Sequence, residues 1–277
     1  MQLWKAHGLG NDYLVWEQER IKLTDFAVRK ICHRHIGIGG DGILEPTPTH
    51  RAEYGVRIWN PDGSVAEKSG NGLRIFALWL FLHRNAGSSF RVDTGTDIVE
   101  CFVNADRDAI TIEMGKAQFS APDIPTTVQL WDTPFQIGGH TIPVWSVGMG
   151  NPHCVSFFPD AELDALPWRK WGAYIETHEF FPNRTNVQFA TVLDPHNIDI
   201  RIWERGAGET AASGSSSCAV AAIACRMGWV RSPITIHMPG GSLHISITKD
   251  FSVTLTGPVS EIGRCRIAKQ FIDDLAL

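Results

Sequence analysis

Two stretches place a serine and a glycine directly ahead of an apolar run: Ser69-Gly70-Asn71-Gly72 before LRIFALWLF, and Ser213-Gly214-Ser215 before SSCAVAAIA. A serine so placed sits near a helix N-cap, beside backbone N–H groups that have no partner within the helix, and such a terminus attracts an anion. If two of these ends converge on one cleft, a carboxylate can be held between two positive dipole ends, with one side chain on each face of the neighbouring carbon. That geometry suits stereochemical inversion at an α-carbon, where one group removes a proton and its counterpart delivers one. Serine is a poor choice for this work. Its hydroxyl is far less acidic than a cysteine thiol of pKa about 8.5, which a helix N-terminus lowers further. Taken singly, each serine reads as a cap and each glycine as a turn; the repetition is what speaks for a site.

The repetition extends to the elements that must position these residues. RIWNPDGSVAEKSGNGLRIFA from Arg57 aligns without a gap to RIWERGAGETAASGSSSCAVA from Arg201, and GLGNDYLVW from Gly8 resembles GMGNPHCVSF from Gly148. Two matches in the same order at nearly the same spacing indicate a duplicated domain. In each copy an alternating segment, Tyr54–Trp59 or Ile198–Trp203, predicts a half-buried strand, followed by a Gly-rich loop and an apolar helix. Further strand-like runs follow, so the expected class is α/β, with strands outnumbering helices and one central helix per half. The stretch Phe119–Thr127, with Pro122 and Pro125, reads as the linker.

A chain of 277 residues with 43% hydrophobic and 20% charged residues can bury a substantial core. Its net charge of −5, with scattered Lys and Arg, gives no basic stripe for nucleic acid or a membrane surface. The N-terminal residues carry no apolar signal-like run, and no stretch reaches the roughly 20 apolar residues of a spanning helix. A cytoplasmic location is expected. The six cysteines form no C-x-x-C pair and are expected to be reduced; Cys218 and Cys225, seven apart, share a helical face and read as packing.

Several motifs, in order, resemble those of the diaminopimelate epimerases: His7-Gly-Leu-Gly-Asn-Asp12, Arg34-His-x-Gly-Ile-Gly39, Asn60-x-Asp-Gly63, Ser69-Gly-Asn-Gly72, Gly150-Asn-Pro-His-Cys154, Glu204-Arg-Gly-Ala-Gly-Glu-Thr210, Ser213-Gly-Ser215 and Pro239-Gly-Gly-Ser242. The resemblance runs along nearly the whole chain. It implies two pseudo-symmetric halves, each a mixed sheet rolled around a central helix, divided as residues 1–118 plus 263–277 and residues 119–262. It further implies an active site in the cleft between them, a homodimer, no cofactor, and two cysteines acting as paired acid and base. Here Ser69 and Ser213 occupy both of those positions. By the same resemblance Asn11, Asn60, Asn151, Asn186, Glu204 and Arg205 hold the substrate, Gly70-Asn71 and Gly214-Ser215 grip the reacting carboxylate, and His153 and Glu204 flank the α-amino group. Gly42 stands where some members carry a substrate-contacting glutamine. Binding positions kept beside two replaced bases are expected of an engineered double Cys→Ser variant, with a natural serine form as the alternative.

The expected activity is interconversion of LL- and meso-diaminopimelate by two-base transfer of the α-proton. Alternatives on the same scaffold are a racemase for another amino acid such as histidine, a catalytically silent ligand-binding protein, and an isomerase using Glu67 or Glu209. Gly37-Ile-Gly-Gly-Asp-Gly42 fits G-x-G-x-x-G but follows no apolar strand. Cys32, His33 and His35 point to different helical faces and lack a tetrahedral partner set. No G-x-S-x-G elbow is present.

Overall fold

In the computed structural model, residues 2–18, 22–106, 109–159 and 162–275 are described. The chain divides into two units, Met1–Ile112 with Gly257–Leu277, and Glu113–Thr256. The stretch Phe119–Thr127, read as a linker, is built into the second unit: Ala121–Asp123 forms a 3-10 turn and Ile124 is fully buried. Composition cannot separate a proline-bearing linker from a proline-bearing turn, because both need the same backbone stops.

In the first unit the strands lie in the order Ser260–Arg266, Gln2–Gly8, Asn11–Trp16, Gly42–Thr47, Tyr54–Trp59, Ser89–Asp93, Ile98–Val103 and Ile110–Lys116, the last through Ile112. Pairing is antiparallel except between the third and fourth strands and between the fifth and sixth. Helix Asp25–Cys32 spans the first parallel crossover and helix Gly70–His83 the second.

The second unit repeats this plan. Its order is Thr133–Ile137, His140–Gly148, Pro152–Phe157, Asn186–Asp194, Asn197–Glu204, Ile234–Met238, Gly241–Ile247 and Ser252–Gly257, the last through Thr256. Again the third pairs in parallel with the fourth, and the fifth with the sixth. Helices Trp168–Glu176 and Gly214–Arg226 make the crossovers. A parallel pair needs a long connection, and both halves place helices at the same two points of the order.

Each second crossover helix is buried on every face. Residues Gly70 to Leu80 of the first are all buried, as are Ser216 to Ala224 of the second. Each touches strands far apart in its sheet order: Gln2–Gly8 and Ile98–Val103 for the first, His140–Gly148 and Gly241–Ile247 for the second. A helix reached from both sides of one sheet is surrounded by it. This is why neither sequence shows the one-sided stripe of a surface helix.

Candidate active site

The first half-site is organised by the head of helix Gly70–His83. Ser69 is its N-cap in extended backbone conformation, and its Oγ accepts the Gly72 N–H at 3.0 Å. The Leu73 N–H goes to the Ser69 carbonyl at 2.9 Å. The Gly70 N–H lies ahead of that first helical bond, at the positive end of the dipole. Behind it, fully buried Arg74 donates to the Gly70 carbonyl at 3.2 Å and to Asn71 Oδ1 at 2.8 Å. The Asn71 amide donates to Asn11 Oδ1, and Asn11 in turn donates to Asp41, each at 3.0 Å.

Asp41 and Asp12 share the Arg34 guanidinium at 2.6 and 2.7 Å, and Lys5 pairs with Asp12 at 2.9 Å. Burial alone would raise the Asp12 carboxyl, but the bonds from Arg34 and Lys5 hold it below the usual range. The network brings Asn11 and Asn71 together. Asn60 belongs to a separate turn, its amide bonded to Ser64 Oγ at 2.9 Å.

The second half-site starts from helix Gly214–Arg226, and its cap differs. Ser213 is the N-cap and is buried, yet its side chain makes no cap hydrogen bond. The first intrahelical bond is Ser217 N–H to the Ser213 carbonyl at 3.1 Å. The amides of Gly214, Ser215 and Ser216 therefore precede the helical ladder, the arrangement that binds anions. The two serines, identical in motif, sit in unlike environments.

His153 lies on strand Pro152–Phe157, opposite Asn186 in the parallel register, and is fully buried. Gln188 Nε2 donates to its Nδ1 at 3.1 Å and also to Ser216 Oγ at 3.0 Å, while its Nε2 meets Asn151 Oδ1 at 2.8 Å. In that arrangement the imidazole proton is on Nε2 and Gln188 Oε1 is buried without a partner. Turning the Gln188 amide over satisfies Oε1 with His153 Nδ1–H and the Ser216 hydroxyl, and Asn151 then turns to donate to Nε2. The ring is neutral in both. Burial pushes its pKa down to about 3, the Gln188 bond opposing and the Arg205 charge assisting.

Asn186 acts as a pin. Its Nδ2 donates to the Pro152 carbonyl and its Oδ1 accepts the Arg205 N–H, both at 3.0 Å, tying the His153 strand to the Glu204-Arg205 turn. Glu204 ends strand Asn197–Glu204 half-buried, and the Arg205 side chain is exposed, with its guanidinium 3.5 Å from the Asn183 carbonyl. Sequence reasoning passed over Tyr13, Arg74 and Gln188, all of which contact expected site residues.

His153 also gives an acid-sensitivity prediction. Its native pKa lies below the unfolded value of about 6.5, so the unfolded chain takes up the proton first. The contribution of the neutral ring is complete above about pH 6.5 and is lost as pH falls toward 3, at up to about 1.4 kcal/mol per pH unit. Urea midpoints measured from pH 7 to 4.5 should fall more steeply for the protein than for His153→Gln. Equal slopes would show that His153 is not the group responsible.

The diaminopimelate epimerase family model matches residues 3–120 and 145–262, one stretch for each repeat. The chain belongs to the diaminopimelate epimerase family. It is 41% identical to diaminopimelate epimerase 2 of Nostoc sp., covering 98% of this chain and 96% of that one. It is 38% identical to the diaminopimelate epimerase of Pelotomaculum thermopropionicum, covering 95% and 97%. Among solved structures, a probable proline racemase from Agrobacterium radiobacter superposes with a TM-score of 0.74 at 13% identity, over 99% of this family member and 95% of that chain. A hydroxyproline epimerase from Agrobacterium vitis gives 0.71 at 14%, over 96% and 90%. At such identities these two show the fold.

Among the described residues no helix is long and apolar enough to cross a membrane, and no three His, Cys, Asp or Glu side chains gather as a metal set. Cys218 and Cys225 lie on one helix outside any disulfide, the first fully buried and the second half-buried.

Proposed function

We propose that this epimerase-family chain interconverts LL- and meso-diaminopimelate, each half contributing one proton-transfer position, Ser69 in one and Ser213 in the other. The observation that carries the reading is that each unit has a helix terminus headed by one of these serines and presenting amide donors suited to a carboxylate. Neutral, buried His153 supports it, because it orients neighbouring groups without adding a positive charge beside an ammonium group. Arg205, with an exposed guanidinium, is suited to a second carboxylate, which diaminopimelate has and a simple amino acid lacks. The same reading makes the protein a cytoplasmic homodimer acting on a small amino-acid substrate.

The test is incubation with LL-diaminopimelate in D₂O, followed by proton NMR and chiral chromatography. Loss of the α-proton signal together with the meso form supports epimerisation. Tight binding with no exchange from this protein or from its Ser69→Cys/Ser213→Cys variant points instead to a ligand-binding role.

A further inference from the structure

We propose that the Tyr13 phenol is a proton relay working through Ser69, which lets a hydroxyl stand at a position that calls for a more acidic group. The proposal rests on the epimerase reading above and deepens it for the first half-site. Tyr13 lies on strand Asn11–Trp16, is 6% exposed, and places its hydroxyl 3.2 Å from Ser69 Oγ across 56 residues of sequence.

Two features hold it there. Tyr13 is the register partner of Gly42 on the adjacent parallel strand, and a Cβ at Gly42 would fall 2.5 Å from Tyr13 Cε1 and 2.3 Å from the Trp59 carbonyl. The bare glycine thus leaves room for the ring. The Gly72 N–H fixes the other partner by binding Ser69 Oγ. A serine hydroxyl has one proton and two acceptor sites. With one acceptor site used by the cap, the proton and the remaining lone pair can face the phenol and the reacting carbon.

Removal of the α-proton is then a two-bond transfer. The substrate Cα–H bond breaks and its electron pair stays on carbon, while that proton forms a new bond to Ser69 Oγ. The step starts from the ionised form, in which the Tyr13 phenol has already given its proton to solvent hydroxide; the Ser69 O–H bond breaks and its proton passes to that phenolate. Delivery of a proton runs the same path backward, and charge balances at every stage.

Magnitudes favour the arrangement over serine alone. An ordinary phenol is much less acidic than a thiol and much more acidic than a serine hydroxyl, and burial makes phenolate scarcer still. A relay of this kind is slower than a thiol at neutral pH and gains about tenfold per pH unit up to the phenol range.

The titratable and charged groups on the elements around Tyr13 are Lys5 and His7, Asp12, Glu45, Tyr54 and Arg57, and Arg74 and His83. Lys5 pairs with Asp12 at 2.9 Å and Arg57 with Glu45 at 3.2 Å, while Arg74 bonds the Gly70 carbonyl and Asn71. Ser213, lacking any cap bond, provides the contrast at the second position.

The test compares α-proton exchange from diaminopimelate in D₂O between pH 7 and 10 for the protein and for Tyr13→Phe, each also in the Ser69→Cys/Ser213→Cys background. Exchange by the protein should rise about tenfold per unit, and Tyr13→Phe should flatten that rise and lower the rate at pH 9 by tenfold or more. In the cysteine background the same substitution should cost under about threefold, because a thiol needs no relay. Equal losses in both backgrounds mean a structural role for the ring and overturn the relay. Exchange by the cysteine variant with none from the serine protein at any pH likewise overturns the relay while leaving the epimerase reading intact. No exchange from any variant removes the epimerase reading, and the relay with it.

Discussion

Replacing Ser69 and Ser213 together by cysteine is expected to raise the epimerisation rate of diaminopimelate at pH 7.5 by roughly 10²- to 10⁴-fold, the usual worth of a well-matched acid or base. Each thiol would sit at a helix N-terminus, where thiolate is favoured. Inversion needs a base on one face and an acid on the other, so a single replacement should recover only part of the gain, and the two gains should not be additive. The stability cost should be one-sided. Ser69→Cys exchanges a good acceptor for the Gly72 N–H for a weak one, at about 1 kcal/mol. Ser213→Cys breaks no cap bond and should leave the unfolding midpoint nearly unchanged. Coupled-assay kinetics and urea titrations of the three variants check both statements. A double variant no faster than the protein itself would sink the assignment of these positions to proton transfer.

Arg74→Ala is expected to cost about 3–5 kcal/mol, the range seen when a large, fully enclosed side chain is truncated. The guanidinium has no solvent exposure, and its loss leaves the Gly70 carbonyl and Asn71 Oδ1 without its bonds and opens a cavity beneath the helix head. Gly8 packs against the same group, a Cβ there falling 2.8 Å from Arg74 Nη2. Arg74→Met, which keeps most of the volume, should recover part of the loss and so separate packing from hydrogen bonding. A drop below about 1 kcal/mol for the alanine variant would show that the Asn71–Asn11 connection stands without it.

Much of the architecture is legible in the chain. The offset between Arg57-Ile58-Trp59 and Arg201-Ile202-Trp203 anticipates two strands in the same place of two matching sheet orders, each followed by an enclosed helix. Serine before glycine also marks both helix starts correctly, because cap chemistry is local. What escapes is non-local. Tyr13 meets Ser69, and Gln188 meets both His153 and Ser216, only through strand register and packing across 28 to 56 residues. Arg74 hides inside a run that otherwise reads as apolar core. The difference between a bonded and an unbonded cap is likewise invisible, since the same Ser-Gly letters precede both helices. Asn186 spends Oδ1 and one Nδ2 hydrogen on backbone groups, a bonding pattern that residue type alone does not reveal.

The pairing of strand Gln2–Gly8 with strand Ser260–Arg266 bears on how the molecule is made. The second unit is one continuous segment, Glu113–Thr256, whereas the first waits for the strand that follows it. On a ribosome adding about 5–20 residues per second, Gln2–Gly8 therefore spends roughly 12–50 s with one edge open, after its partner Asn11–Trp16 is available and before Ser260–Arg266 exists. An open strand edge is a template for pairing with another chain. During that interval the nascent protein is most exposed to aggregation, and the segment translated in the meantime is the one able to fold without delay.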